Sequence, residues 1–205
     1  YAINNGALDL LAVRNTSCGS TVSGSISGPC EVAFDSPDLY VASTGTITGS
    51  AQGIKALTGS INGRILNEGY IGGNLTGVQF LAGSSLTGGI TNGGSIVGVV
   101  GVNVGIGGNV AGGISNSGYI SSIKVTQSGQ IAGLQNSGSI GGISALGGTI
   151  SNGLTNSGTI SGYRAVSLGS NSLIAGGLNN TGRLQGDSAS VFVGLGSSLS
   201  GGLTN

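Results

Sequence analysis

Few residues in this chain can do acid, base or metal chemistry, and most of them crowd its first part. Glu31, Asp35 and Asp38 form the only acidic cluster. Such a cluster can hold a calcium ion through its carboxylate oxygens or simply solvate a loop. The sequence contains no His, so a serine-protease triad, which needs an imidazole to take the nucleophile's proton, is excluded. Zinc sites draw on clusters of His and Cys, and two cysteines do not make one. Phosphate-cradling loops need a strand-to-helix step with a Lys or a helix N-terminus behind the glycines. Gly105-Ile106-Gly107-Gly108-Asn109 offers neither. Arg64, Arg164 and Arg183 fall at unrelated phases and read as solubilising charges. Cys18 and Cys30 are the only cysteines. They are expected to form one disulfide in an oxidising compartment, the alternative being two reduced thiols.

One polar residue type does recur at regular spacing. Asn67, Asn92, Asn116, Asn136, Asn156, Asn180 and Asn205 follow one another at 25, 24, 20, 20, 24 and 25 residues. Each sits in the phrase aliphatic-x-Asn, and all but the last continue as x-Gly-x-aliphatic. The glycines are Gly69, Gly94, Gly118, Gly138, Gly158 and Gly182. A degenerate copy runs from Val41 to Ile47. Asn and Gly both tolerate left-handed backbone, so the Asn-x-Gly unit is read as a corner. Alternation places the Asn side chain inward. A buried amide without a partner costs about 1–3 kcal/mol, and a stack of Asn residues supplies its own partners as a ladder. These Asn are therefore read as structural rather than catalytic or glycan-binding.

Short strands separated by Gly, Ser and Asn turns must carry this ladder. In the segment from Asn156 to Asn180, Thr159-Ile160-Ser161, Ala165-Val166-Ser167-Leu168 and Leu173-Ile174 are three such strands. Three strands and three turns fill 20 to 25 residues, one coil of a parallel β-helix. Like residues then stack on like. Two before each Asn stand Ile65, Ile90, Ile114, Leu134, Leu154, Leu178 and Leu203. Four after come Ile71, Ile96, Ile120, Ile140, Ile160 and Leu184. A third column is expected through Leu57, Phe80, Val104, Val125, Leu146, Leu168 and Val193. The two 20-residue coils are expected to have lost a residue or two at each of two corners. Tyr70 and Tyr119 share an outward phase.

Composition agrees. Gly supplies 45 of 205 residues, as in disordered chains, yet 38% of residues are hydrophobic and keep fixed phase to the Asn. Helical solenoids are opposed by so much Gly. Collagen needs far more than two prolines, and calcium-binding β-rolls need Asp, which is absent between Asp38 and Asp187. Six basic and six acidic residues leave no basic patch for nucleic acid. No apolar stretch of about 18 residues could span a bilayer as a helix. Residues 1–40 break the pattern and hold four of the six acids and both prolines. They are read as an N-terminal cap with irregular first coils, followed by regular repeats over 41–205. If the protein is exported, Tyr1 follows a processed or omitted segment.

The phrases Gly89-Ile90-Thr91-Asn92, Gly112-Gly113-Ile114-Ser115-Asn116-Ser117-Gly118 and Gly153-Leu154-Thr155-Asn156-Ser157-Gly158-Thr159-Ile160-Ser161-Gly162 resemble the passenger repeats of bacterial autotransporters and related large β-helical adhesins. The resemblance covers about 41–205. It implies a right-handed parallel β-helix of about seven to eight coils, exported by a Gram-negative bacterium and displayed at the cell surface. It also accommodates the closely spaced Cys18 and Cys30. No translocator barrel follows Asn205, so a fragment or processed piece is expected, the alternative being a subunit whose end a neighbour covers.

The function expected from these features is mechanical: an extracellular structural or adhesive solenoid, a shaft or matrix component. It could polymerise head to tail with neighbouring copies through its open coil ends. No cofactor is implied, and no enzyme activity is expected. A polysaccharide-active β-helix would need acids clustered on one face. An ice-binding solenoid would need ranks of outward Thr, and only Thr44-x-Thr46-x-Thr48 qualifies.

Overall fold

Short strands joined by glycine-bearing turns wind the chain into a β-solenoid of about seven turns. The computed structural model describes residues 2–4, 7–9, 18–32 and 38–205, and every regular element among them is a strand. Three parallel sheets run along the axis. The first stacks Thr21–Val22, Leu39–Val41, Ile65–Asn67, Ile90–Asn92 and their successors down to Leu203–Thr204. The second contains Ser25–Val32, Thr46–Ala56, Thr159–Gly169 and Arg183–Val193, with shorter pairs of strands in the coils between. The third runs from Gly59–Ile61 to Ser198–Leu199.

Register fixes the core. Ile65, Ile90, Ile114, Leu134, Leu154, Leu178 and Leu203 are successive partners across the first sheet, with Leu39 before them. Ile47, Ile71, Ile96, Ile120, Ile140, Ile160 and Leu184 stack likewise across the second. A column that alternation alone could not place closes the third side: Ile61, Leu86, Val110, Ile131, Ile150, Ile174 and Leu199. Nearly all these side chains are fully buried, each contributing about 1.5–3 kcal/mol by leaving water.

The remaining column differs from expectation at two places. It runs Val32, Ala56, Phe80, Val104, Val125, Ala145, Leu168 and Val193. Ala56 and Ala145 hold the positions expected of Leu57 and Leu146. A one-residue slip reverses the face of a strand residue, and Leu146 accordingly points outward, 39% exposed. The register partners of these alanines are large and fully buried, Phe80 beside Ala56 and Leu168 beside Ala145.

The shortening of the two 20-residue coils also differs. Val102 lies six residues beyond Ile96, whereas Ile123 lies three beyond Ile120 and Ile143 three beyond Ile140. Three residues are lost at one corner in each coil, and only one elsewhere. The coils on either side keep the longer corner.

Before Asn67 the repeat continues in altered form. Val41 is the register partner of Asn67, and Val22 of Val41. Between Val41 and Gly45 the corner is two residues longer than Asn-x-Gly. Ser25–Val32 pairs in parallel with Thr46–Ala56. Cys18 and Cys30 form a disulfide with Cα atoms 5.6 Å apart, and Cys30 is buried against the core. Ala7–Asp9 is a strand antiparallel to Ala2–Asn4, and residues 10–17 lie outside the described residues.

Candidate functional site

The Asn strand ends on a corner that turns all its polar groups to one purpose. Asn67 Nδ2 donates to Asn92 Oδ1 at 2.7 Å, and the same bond links Asn92 to Asn116, Asn116 to Asn136 and Asn136 to Asn156, each at 2.7 Å. It continues from Asn156 to Asn180 at 2.6 Å and from Asn180 to Asn205 at 2.5 Å. Every donor points toward the C-terminal end. Each Nδ2 also bonds the carbonyl of its own corner glycine and, as far as Asn156, one carbonyl of the coil above. Asn backbone carbonyls take part as well: Asn92 O accepts from Ser117 and Gly118. The ladder starts with an orphan. Asn67 Oδ1 is buried without a partner, because Val41 occupies the position below.

The corner glycines are needed for close approach rather than for left-handed backbone. None of Gly69, Gly94, Gly118, Gly138, Gly158 or Gly182 has positive φ. A Cβ on each would overlap a backbone carbonyl oxygen one coil earlier, Gly69 O above all in the case of Gly94 and Gly94 O in the case of Gly118. The left-handed residue stands three before the Asn, at Gly89, Gly113, Gly153 and Gly177, with φ of +74°, +74°, +82° and +79°.

Two of the three clustered acids sit in separate ion pairs. Glu31 lies 3.6 Å from Lys55, and Asp38 takes Arg64 Nε at 2.8 Å and Arg64 N at 3.0 Å. Asp35 lies outside the described residues, and no group of three metal-ligating side chains occurs among those described. Tyr70 and Tyr119 point outward with Ser95 between them. Thr46 and Thr48 are followed in the next coil by Tyr70 and Gly72, so the Thr rank does not repeat there. Tyr40 donates its hydroxyl to Glu68 Oε2 at 2.5 Å. That bond, with smaller effects of desolvation and the nearby negative charge, raises the Tyr40 pKa.

One surface feature was not foreseen. Where two adjacent coils lack three corner residues, the wall of the solenoid is indented by a recess of about 530 Å³. Its floor is Ile123, Gly141, Gly142 and Ile143. One rim is the longer corner near Val100, which the Ser121 hydroxyl holds by bonding both Gly98 O and Gly98 N. The other rim is Tyr163 and Arg164, where the strand bulges against its neighbour between Gly162 and Arg164. Lys124, Ser144, Ser167 and Leu146 also line it. The Arg164 guanidinium lies 3.6 Å over the Phe192 ring, and its Nε is buried without a hydrogen-bond partner. The sequence did carry a signal, the paired 20-residue spacings, but not which corner was shortened.

A second, smaller recess of about 390 Å³ follows the first sheet past Thr91, Ser115, Gln135 and Thr155, with no charged residue in its lining. No helix among the described residues is long and apolar enough to cross a membrane. No family, curated protein or solved structure matches the chain.

Proposed function

We propose that the chain is a load-bearing stretch of an extracellular solenoid, a shaft or matrix element of the kind that autotransporter-like adhesins display at a bacterial surface. The observation that carries this is the Asn ladder, unbroken from Asn67 to Asn205 and polarised in one direction. Hydrogen bonds in such chains strengthen one another. Stacked coils contact only their neighbours, so length can be added without redesign. The Cys18–Cys30 disulfide is compatible with an oxidising exterior. Leu184, Val191 and Leu199 pack only partly against the core in the last coil. Head-to-tail assembly of copies would extend the same parallel pairing along the axis.

Force spectroscopy with handles at the two ends of the solenoid tests the mechanical role. The expected response is a stiff rod that yields in steps of one coil. Smooth extension from the lowest forces, as for an unstructured chain, contradicts it.

A further inference from the structure

We propose that the recess between the Val100 corner and Tyr163–Arg164 is a binding site for a carboxylated sugar unit of an acidic polysaccharide. The recess exists because periodicity is broken, not because the fold demands it. Ile120–Ile123 and Ile140–Ile143 are three residues apart, while the flanking coils keep six. In repeat proteins, such local length changes shape the binding face. Its volume of about 530 Å³ falls within the range of small-ligand sites.

The lining matches one chemistry. Lys124 and Arg164 bring two cations to it, and no acid lines it. Among the described residues neither cation has an ion-pair partner; the pairs found are Lys55–Glu31 and Arg64–Asp38. Phe192 fixes the guanidinium plane from one side. Its Nε is a buried donor with nothing to bond, which is costly unless an acceptor arrives. A carboxylate answers a guanidinium fork with parallel hydrogen bonds. Tyr163 is 70% exposed on the rim, a flat apolar body with a polar tip that can cover the C–H face of a sugar ring. Ser122, Ser144 and Ser167 add hydroxyls suited to a hydroxyl-rich ligand. Beyond Lys124 the outward column continues through Asn103 and Gln79, joined by a 2.9 Å hydrogen bond. Asn103 Oδ1 is again buried and unpartnered. Polar contacts therefore continue along the axis, as a chain-like ligand requires. This site is independent of the mechanical role proposed above.

The test is calorimetric titration of the intact chain, at low and moderate salt, with oligomers of galacturonate, glucuronate and mannuronate. Carboxyl-reduced oligomers and inorganic phosphate serve as controls. Binding of at least one uronate oligomer is expected, weakened by salt, with the reduced oligomers and phosphate failing to compete. Arg164→Gln and Tyr163→Ala are each expected to weaken it about tenfold or more. Lys124→Ser, which installs the residue found one coil on at Ser144, is expected to keep the fold and to weaken binding similarly. No binding to any uronate oligomer would overturn the proposal. So would affinity retained in folded Lys124→Ser and Tyr163→Ala, or equal affinity for the reduced oligomers or phosphate.

Discussion

Asn67 Nδ2 donates to Asn92 Oδ1 at 2.7 Å, yet no donor reaches Asn67 Oδ1, because its partner in the coil below is Val41. A one-way ladder must end somewhere in an unsatisfied oxygen. Moving that end should cost little, and breaking the ladder in its middle should cost more. Asn67→Val removes the orphan at Asn67 and creates one at Asn92 Oδ1, so its stability is expected to stay within about 1 kcal/mol of the parent. Asn136→Ala strands Asn156 Oδ1 and leaves a cavity between full coils. It is expected to lose roughly 1–3 kcal/mol for the orphaned group, with the cavity adding to that. Guanidinium unfolding of the two variants checks the difference, and equal losses would refute the directional ladder.

The corner glycines give a second comparison, between crowding and backbone strain. Gly107 has φ of +65°, and an added Cβ would meet only Gly83 N at 3.8 Å. Gly107→Ala is expected to cost about 1–2 kcal/mol, from the left-handed backbone alone. Gly118 has an ordinary φ, but its Cβ would overlap Gly94 O. Gly118→Ala must pry two coils apart and is expected to cost about 3 kcal/mol or more. Thermal unfolding orders the two, and Gly107→Ala proving the more damaging would show that strain, not contact, selects these glycines.

Tyr40 provides a pH-dependent probe of the first regular coils. Its hydrogen bond to Glu68 raises the phenol pKa above 10.0. The protonated form is favoured in the folded state, so the stabilising contribution is fully present below the unfolded pKa. It is lost as pH rises through the higher folded value. In a spectrophotometric titration Tyr40 is expected to ionise at higher pH than in Glu68→Gln, where it falls back toward 10.0. An unchanged Tyr40 titration in that variant would contradict the bond.

The stacked columns were legible because each repeat restates them. Ile90, Ile114, Leu134 and Leu154 hold one phase to their Asn, and identical phase in a solenoid means identical position. Legibility failed where coil length varied. Leu57 and Leu146 look like better core residues than Ala56 and Ala145, and nothing local shows that the alanines stack beside the large Phe80 and Leu168. The recess was invisible for the same reason. Lys124, Tyr163 and Arg164 are 39 to 40 residues apart at their extremes, and only register across the shortened coil brings them to one opening. The glycines were identifiable, but their physical role was not, since composition cannot separate freedom of φ from absence of a Cβ.

Each Asn-to-Asn segment forms one coil of a continuous stack, and the coils are expected to be interchangeable. Deleting residues 137–156 joins Asn136 to Ser157 and restores the Asn-Ser-Gly corner while removing one full turn. Solution scattering from the shortened chain measures the result directly. A folded rod shorter by about 4.8 Å, the spacing of one strand, is expected. Loss of the folded rod, or an unchanged length, would contradict the account.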